Sequence, residues 1–202
     1  MTVWRERQPL ILASQSAVRK SLLANAGIAV ETVSADIDER AIQQNSGLKD
    51  PGEVAALLAR EKAMFISAKH PGRYVVGADQ TLALGTQLFS KPENRAAAAA
   101  HIATLSGQTH ALHSAVSVVK DGEALFSHVS VARMTMRRLT GSEIAAYIDE
   151  AGDAVTASVG AYQLERTGVH LFERIEGDHF TILGLPLLPL LGFLRSRNLL
   201  TL

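Results

Sequence analysis

The alternation of apolar and polar residues over the first third of the chain predicts short strands joined to helices. The apolar run PLILAS predicts a buried strand, and the hydroxyls at positions 14 and 16 are suited to cap a helix from about Ala17 to Ala26. The run IAVETVSA alternates as a half-buried strand does, and it leads into acidic residues that we expect in a loop. Apolar residues at helical spacing then predict a helix from Glu53 to Lys69.

The middle of the chain combines a buried strand with two hairpins. The run YVVGA predicts a strand that ends at Asp79, and TLALGTQLF predicts a tight hairpin about its Gly-Thr pair. Asn94 is suited to cap the alanine-rich helix that reaches Leu105. Two long alternating runs flank the Asp-Gly pair at 121–122, so we expect them to pair antiparallel.

The last part of the chain completes a mixed architecture. Thr140, with Glu143 three residues on, forms a capping-box pattern that predicts a helix to about Glu150, and a leucine-rich segment predicts a final helix. Because helices interleave with strands and hairpins also occur, the expected class is α/β (α+β), with a mixed twisted sheet and flanking helices. No repeat or linker interrupts the pattern, so we expect a single domain over residues 1–202.

Composition and charge argue against several classes of function. Lysine plus arginine and aspartate plus glutamate number 20 each, so no global field favours nucleic acid as a partner. Cysteine is absent, so a metal ion would need oxygen or histidine ligands, and the histidines lack ligand spacing. The apolar stretches are short or interrupted by glycine and proline. This predicts no signal peptide, no membrane span and a cytoplasmic location.

The residues best suited to phosphate chemistry stand at the ends of predicted elements, although no glycine-rich phosphate loop is present. They are Ser14, Arg19, Glu39, Lys62, Asp79 and Lys91. At the first strand-to-helix junction, hydroxyls, backbone donors and Arg19 are expected to converge on an anion. A capped helix with a solvated basic turn is the commoner interpretation of that pattern alone. The two lysines are likewise either phosphate-binding cations or surface residues.

Two carboxylates that follow separate predicted strands suggest a metal site. Asp79 and Glu39 are the minimum set of oxygen ligands for holding Mg²⁺ against a triphosphate. Asp79 also stands where strands of α/β sheets commonly release catalytic groups. On the pattern alone, an aspartate that accepts hydrogen bonds in a turn and a solvated glutamate are the commoner alternatives.

In order and spacing, the motifs LILASQSAVRKSLLANAGI, SADIDE, AREKA, VVGADQ, KP, LSGQTH and LFERIEG…GLPL resemble the Maf family of nucleotide pyrophosphatases over residues 9 to about 195. The resemblance implies a fold like that of inosine triphosphate pyrophosphatases, with two lobes around a cleft, and often a homodimer. It implies metal-dependent hydrolysis of a nucleoside triphosphate to the monophosphate and pyrophosphate. The partner is then a small nucleotide rather than a polymer or a membrane.

The same resemblance implies roles for individual residues. Asp79 matches the catalytic acid of the family and, with Glu39, the ligands of a divalent cation, Mg²⁺ or Mn²⁺. The positions that match phosphate-binding residues are Ser14, Arg19, Lys62 and Lys91.

Three positions bear on which nucleotide is used. Val18 stands where members commonly have arginine, whereas Gln80 and Glu165 replace the threonine and glutamine of the dTTP and UTP branch. Gln80 and Glu165 resemble the branch that acts on 7-methyl-GTP, and a carboxylate suits the N1–H and 2-amino donors of guanine. Val18 cannot stack on a cationic base as the aromatic residue of that branch does. A modified purine nucleotide is favoured, and dTTP or UTP is the alternative.

A function of a different class stays open at the level of sequence. The family was first named for effects on septum formation, so a non-catalytic nucleotide-binding regulator of cell division is an alternative. The missing arginine at Val18, and a lysine missing near Ser158, favour that alternative. The retained carboxylates and lysines favour an enzyme.

Overall fold

A mixed seven-stranded sheet forms the centre of the molecule, and the computed structural model describes residues 3–202 of the chain. The strands are β1 (Leu10–Leu12), β2 (Val30–Thr32), β3 (Val75–Leu84), β4 (Gln87–Phe89), β5 (Thr109–Lys120), β6 (Glu123–Met136) and β7 (Phe172–Glu176). Their order is β2-β1-β3-β5-β6-β7, and β4 pairs with β3 beside that path. The β1 pairings are parallel and the others are antiparallel. This confirms the mixed α/β class.

Seven α-helices and three short 3₁₀ turns are found in the described residues. The helices are α1 (Ala17–Asn25), α2 (Glu39–Ser46), α3 (Pro51–Ser67), α4 (Arg95–Leu105), α5 (Gly141–Ala151), α6 (His179–Ile182) and α7 (Leu187–Ser196). The 3₁₀ turns cover residues 152–156, 159–161 and 167–171. No helix within residues 3–202 is long and apolar enough to cross a membrane.

The local capping and turn predictions are confirmed. The Ser16 hydroxyl accepts from the Arg19 amide at the start of α1, and the Asn94 side chain accepts from Ala97 at the start of α4. Thr140 and Glu143 form the expected capping box. Residues 121–122 both have positive φ, which is the conformation that tight hairpin turns require.

The acidic stretch after β2 leads into a helix: Asp36 and Asp38 lie in the expected loop, but the expectation of a loop is wrong for Glu39. The Asp38 carboxylate accepts from the amide of Ala41 and caps α2, and Glu39 is the first residue of the helix. Acidic side chains are favourable at this end of a helix because they satisfy free amides and complement the dipole. Glu39 is therefore fixed to the start of a helix.

Strand β3 continues past Asp79 to Leu84, so the expectation that it ends at Asp79 is also wrong. Strand β5 pairs with one edge of β3 from Val75 to Ala83 and holds it extended. On the other edge, β1 pairs only with residues 75–76 and β4 only with residues 82–84. Asp79 lies at the middle of the gap in pairing between these two strands. Within the described part of the chain, no neighbouring strand covers this edge of β3 at Asp79, just as none would cover a residue at the end of a strand.

The side chains of β3 alternate between the two faces of the sheet. Asp79 lies on the face that α3 covers, together with Gly77, whose added Cβ would come within 1.9 Å of the Ala59 carbonyl oxygen. Only glycine permits α3 to approach the strand this closely. Gln80 faces the opposite side of the sheet.

Two clusters of buried apolar residues lie along one face of β3, and a third, which contains Val75, lies on the face that α3 covers. The first contains Val76 and Ala78 and packs against α7, whereas the second contains Leu82 and packs against α4 and the 3₁₀ turns. Gln80 lies between the first two clusters on their own face of the sheet, whereas Asp79 lies on the opposite face, toward α3. The arrangement of two lobes around a cleft stays a prediction.

Candidate active site

A chain of three charged side chains, from three different elements, crosses the gap beside β3. The Lys62 ammonium, on α3, donates to Asp79 Oδ1 at 2.6 Å and lies 2.8 Å from Glu39 Oε1. Lys62 and Asp79 are buried, with 9% and 7% of their surface exposed, but the Glu39 side chain is about half exposed. The structure thus brings together both predicted metal ligands and one predicted phosphate-binding lysine.

Burial and neighbouring charges act in opposite directions on Asp79. Burial raises the pKa of the Asp79 carboxyl above its usual range, while the Lys62 and Arg19 cations oppose that shift. The negative charge of Glu39 adds a smaller upward contribution to the same pKa. A carboxylate with a raised pKa accepts a proton more readily than an ordinary aspartate does, which suits it to act as a base.

Arg19 joins the first helix to two other parts of the chain. Its Nη1 donates to the Ala78 carbonyl at 2.9 Å and to Ser14 Oγ at 3.4 Å. Its Nε donates to the carbonyl of Gly184 at 2.7 Å. Burial lowers the pKa of Arg19, and the Asp79 and Glu39 carboxylates oppose the shift; the guanidinium remains charged. Arg19 and Ser14 therefore lie at the same gap in β3 as Asp79.

The donor set at this gap fits a divalent cation with oxygen ligands. Carboxylates of Asp79 and Glu39 converge on one point, and the Lys62 ammonium already lies between them as a stand-in cation. Two carboxylates completed by substrate phosphates and water are a usual environment for Mg²⁺. No group of three or more acidic or histidine side chains that could hold a metal ion occurs within residues 3–202. Within that range, a metal ion would therefore need ligands other than such a group.

Three other predicted site residues are outside this bonded group. Lys91 is exposed between β4 and α4, Val18 is partly exposed on α1, and Glu165 is exposed after the second 3₁₀ turn. Among the described residues, none of the three side chains has a hydrogen bond or ion pair. The turn before Glu165 packs on β3, since a Cβ at Gly160 would lie 2.4 Å from Leu82 Cδ1. That contact keeps the segment beside the second core cluster.

Gln80 is bonded on the opposite face of β3 from Asp79. Its Nε2 donates to Ser114 Oγ at 2.9 Å and to the carbonyls of Thr181 and Ile182, both at 3.1 Å. Sequence reasoning missed Ser114 and the segment 181–184. Ser114 looks like any polar position of an alternating strand, whereas Gly184 lies in the GLPL motif and carried a signal that could have been used.

Comparison with known proteins gives one family and a consistent set of relatives. The family model described as Maf-like protein matches residues 9–197. A protein of Nitrobacter hamburgensis named nucleoside triphosphate pyrophosphatase is 64% identical over 202 residues, covering 100% of both chains. A protein of Brucella abortus named 7-methyl-GTP pyrophosphatase is 52% identical over 192 residues, covering 94% of this chain and 96% of its own.

Two solved structures match part of the fold. The nucleoside-triphosphatase / dITP/XTP pyrophosphatase of Mycobacterium abscessus aligns with a TM-score of 0.39 and 20% identity, covering 65% of this chain and 76% of its own. A HAM1 protein of Coxiella burnetii aligns with a TM-score of 0.42 and 15% identity, covering 64% and 73% respectively.

Proposed function

The chain belongs to the family of Maf-like proteins, and from that premise we propose that it is a nucleoside triphosphate pyrophosphatase, an enzyme that releases a nucleoside monophosphate and pyrophosphate. The observation that carries the proposal is the Asp79–Lys62–Glu39 chain at the gap in β3, with Arg19 beside it. Carboxylates and cations held together in this way can bind phosphates, accept a proton from water and stabilise a charged leaving group.

The charge balance of the site favours a cation that comes with the substrate. Arg19 and Lys62 together balance Asp79 and Glu39, so the four side chains sum to zero. A triphosphate brings several negative charges into this neutral site, and we propose that Mg²⁺ or Mn²⁺ held by the Asp79 and Glu39 carboxylates offsets them. Such an ion, when bound, supplies positive charge to phosphate oxygens and makes a bound water more acidic.

Each side chain of the site then has a separate role in the reaction. Asp79 takes a proton from the attacking water through its carboxylate. As the bond between the α and β phosphates breaks, negative charge grows on pyrophosphate, and Lys62 and Arg19 stabilise it. Ser14 adds a hydroxyl beside Arg19. Lys91 completes the phosphate contacts from its exposed loop when substrate is bound.

Replacement of Asp79 tests the assignment. Asp79→Asn keeps the shape of the side chain but removes the base and a carboxylate ligand. We therefore expect kcat/KM for nucleoside triphosphates to fall at least about a thousandfold. Asp149→Asn, which removes an exposed carboxylate on α5, is the control and should leave kcat/KM unchanged. Pyrophosphate release is the measurement, and circular dichroism checks the fold. Near wild-type turnover in folded Asp79→Asn would disprove the site.

The finer proposal is that the nucleotide is 7-methyl-GTP or another modified purine. It rests on Gln80 and Glu165, which resemble the 7-methyl-GTP branch, and on the 52% identity to a relative that bears that name. An exposed carboxylate such as Glu165 can accept from both guanine donors, and it would repel the carbonyl acceptors of a pyrimidine. Val18, which precedes Arg19 on α1, supplies no ring to stack on the base.

Glu165→Gln tests the contact with the base. A glutamine accepts only one of the two guanine donors and carries no charge, so the ratio of kcat/KM for 7-methyl-GTP to that for UTP should fall roughly tenfold. Glu123→Gln removes an equally exposed carboxylate at the β5–β6 hairpin and should not change the ratio. An unchanged ratio in Glu165→Gln would show that Glu165 does not recognise the base. It would not contradict the proposed pyrophosphatase reaction.

A further inference from the structure

The carbonyl oxygen of Thr181 accepts hydrogen bonds from three different groups. Ser114 Oγ donates to it at 2.6 Å, Gln80 Nε2 at 3.1 Å and the Gly184 amide at 3.0 Å. Two of these donors belong to the sheet, and the third closes the turn over residues 181–184. A buried carbonyl with this many partners is fixed more firmly than an ordinary turn carbonyl.

The other end of the same turn holds the guanidinium of the proposed phosphate site. Gly184 has a φ of +88° and presents its carbonyl to Arg19 Nε at 2.7 Å. A Cβ at Gly184 would lie 3.2 Å from Arg19 Nη2, so the turn and the guanidinium are packed closely. Any displacement of the turn from the sheet therefore moves the acceptor of the shortest of the three hydrogen bonds that orient Arg19.

We propose that Ser114 is a positioning residue of the proposed active site, because it anchors the turn over residues 181–184 that orients Arg19 for the phosphates of the substrate. Ser114 has no exposed surface, and it lies directly opposite Gln80 in the β3–β5 ladder. The Ser114 hydroxyl accepts from Gln80 while donating to Thr181. The two side chains act as one anchor.

This inference rests on the proposed function and extends it to Gln80. The Gln80 amide donors are used inside the protein, on the face of β3 away from Asp79, so Gln80 acts on the substrate through the turn and Arg19. Arg19 would contact phosphate, which every nucleoside triphosphate carries. Loss of the anchor should therefore weaken binding of all of them by a similar factor, without a change in base preference.

Ser114→Ala is the direct test, and Ser117→Ala is its matched control. Ser117 is equally buried on the same strand, and its hydroxyl also donates to a carbonyl, that of Phe126 at 3.2 Å, away from the turn. We expect Ser114→Ala to raise KM about fivefold for GTP and UTP alike, with a smaller effect on kcat, whereas Ser117→Ala leaves both constants unchanged. Pyrophosphate affinity, measured by calorimetry, should fall by a similar factor and does not depend on turnover.

A double-mutant cycle with Arg19→Lys separates positioning from general loss of packing. Lysine lacks the Nε–H that bonds to Gly184, so in that background Ser114→Ala should add little to the loss of pyrophosphate affinity. Additive effects would overturn the inference, and so would a Ser114→Ala variant that matches Ser117→Ala or that alters base preference alone. If Ser114→Ala does not fold, Ser114→Cys carries the same expectations, because its thiol is only a weak donor. Absence of Asp79-dependent turnover in the wild type would instead count against the proposed function.

Discussion

His110 on β5 is a histidine that the fold keeps neutral. Its Nε2 is 2.7 Å from the Tyr162 hydroxyl, its ring lies against Phe172, and only 1% of its surface is exposed. Its Nδ1 has no hydrogen-bond partner within residues 3–202. Burial lowers the pKa of His110 from 6.5 to about 4. Protonation would therefore place a buried positive charge beside the aromatic residues of the second core cluster, with no negative charge among the described residues to offset it.

The free energy of unfolding should depend on pH because of the lowered pKa of His110. Its folded pKa lies below its unfolded pKa, so its contribution to stability is complete above about pH 6.5 and is lost as the pH falls toward 4. Between about pH 7.5 and pH 5 the loss is about 2 kcal/mol. Urea unfolding of the wild type and of His110→Gln at both pH values measures it. The glutamine variant should lose less stability on acidification, and an equal loss in both proteins would contradict the assignment.

Several site residues could be predicted because their chemistry suits phosphates and their motifs resemble those of a known family, although the pattern alone favoured ordinary structural roles. Asp79, Lys62, Glu39 and Arg19 are charged, and each falls in a motif that resembles the Maf family. The structure brings these four together. Ser114 could not be predicted in this way, because a serine is compatible with either face of a strand and only its three-dimensional neighbours give it a role.

At the scale of elements, the sequence predicted the caps and turns that depend only on neighbouring residues. The Asn94 cap, the capping box before α5 and both hairpins depend on residues close in sequence, and all were predicted correctly. The extent of β3 was not, because the strand is extended by pairing with β5, about 35 residues away in the chain. Helix α2 was missed because its polar sequence has no buried residue and its start depends on one cap.

The gap in pairing along β3 is the element-scale feature on which the site depends. It exists because β1 turns away into α1 after Leu12, while β4 is too short to reach back toward Asp79. Neither fact is encoded in the strand that carries the aspartate. Asp79 therefore lies in the middle of a strand and still has an uncovered strand edge beside it, which we had expected only at the end of a strand.

At the scale of the whole molecule, the two core clusters share one sheet. Strands β3 and β5 pass through both clusters, so the two cores are joined by continuous hydrogen-bonded strands, with Gln80 between them on the same face. We propose on this basis that residues 1–202 form one domain. Formation of a homodimer stays a prediction.

The identity of the reaction products tests the central claim most directly. Purified protein with Mg²⁺ or Mn²⁺ is given 7-methyl-GTP, GTP, dTTP and UTP in separate reactions, and ³¹P NMR identifies the products, with Asp79→Asn run alongside. We predict equal amounts of nucleoside monophosphate and pyrophosphate, formed fastest from 7-methyl-GTP and not formed by Asp79→Asn. Release of a diphosphate with inorganic phosphate, or turnover that survives in Asp79→Asn, would contradict the account.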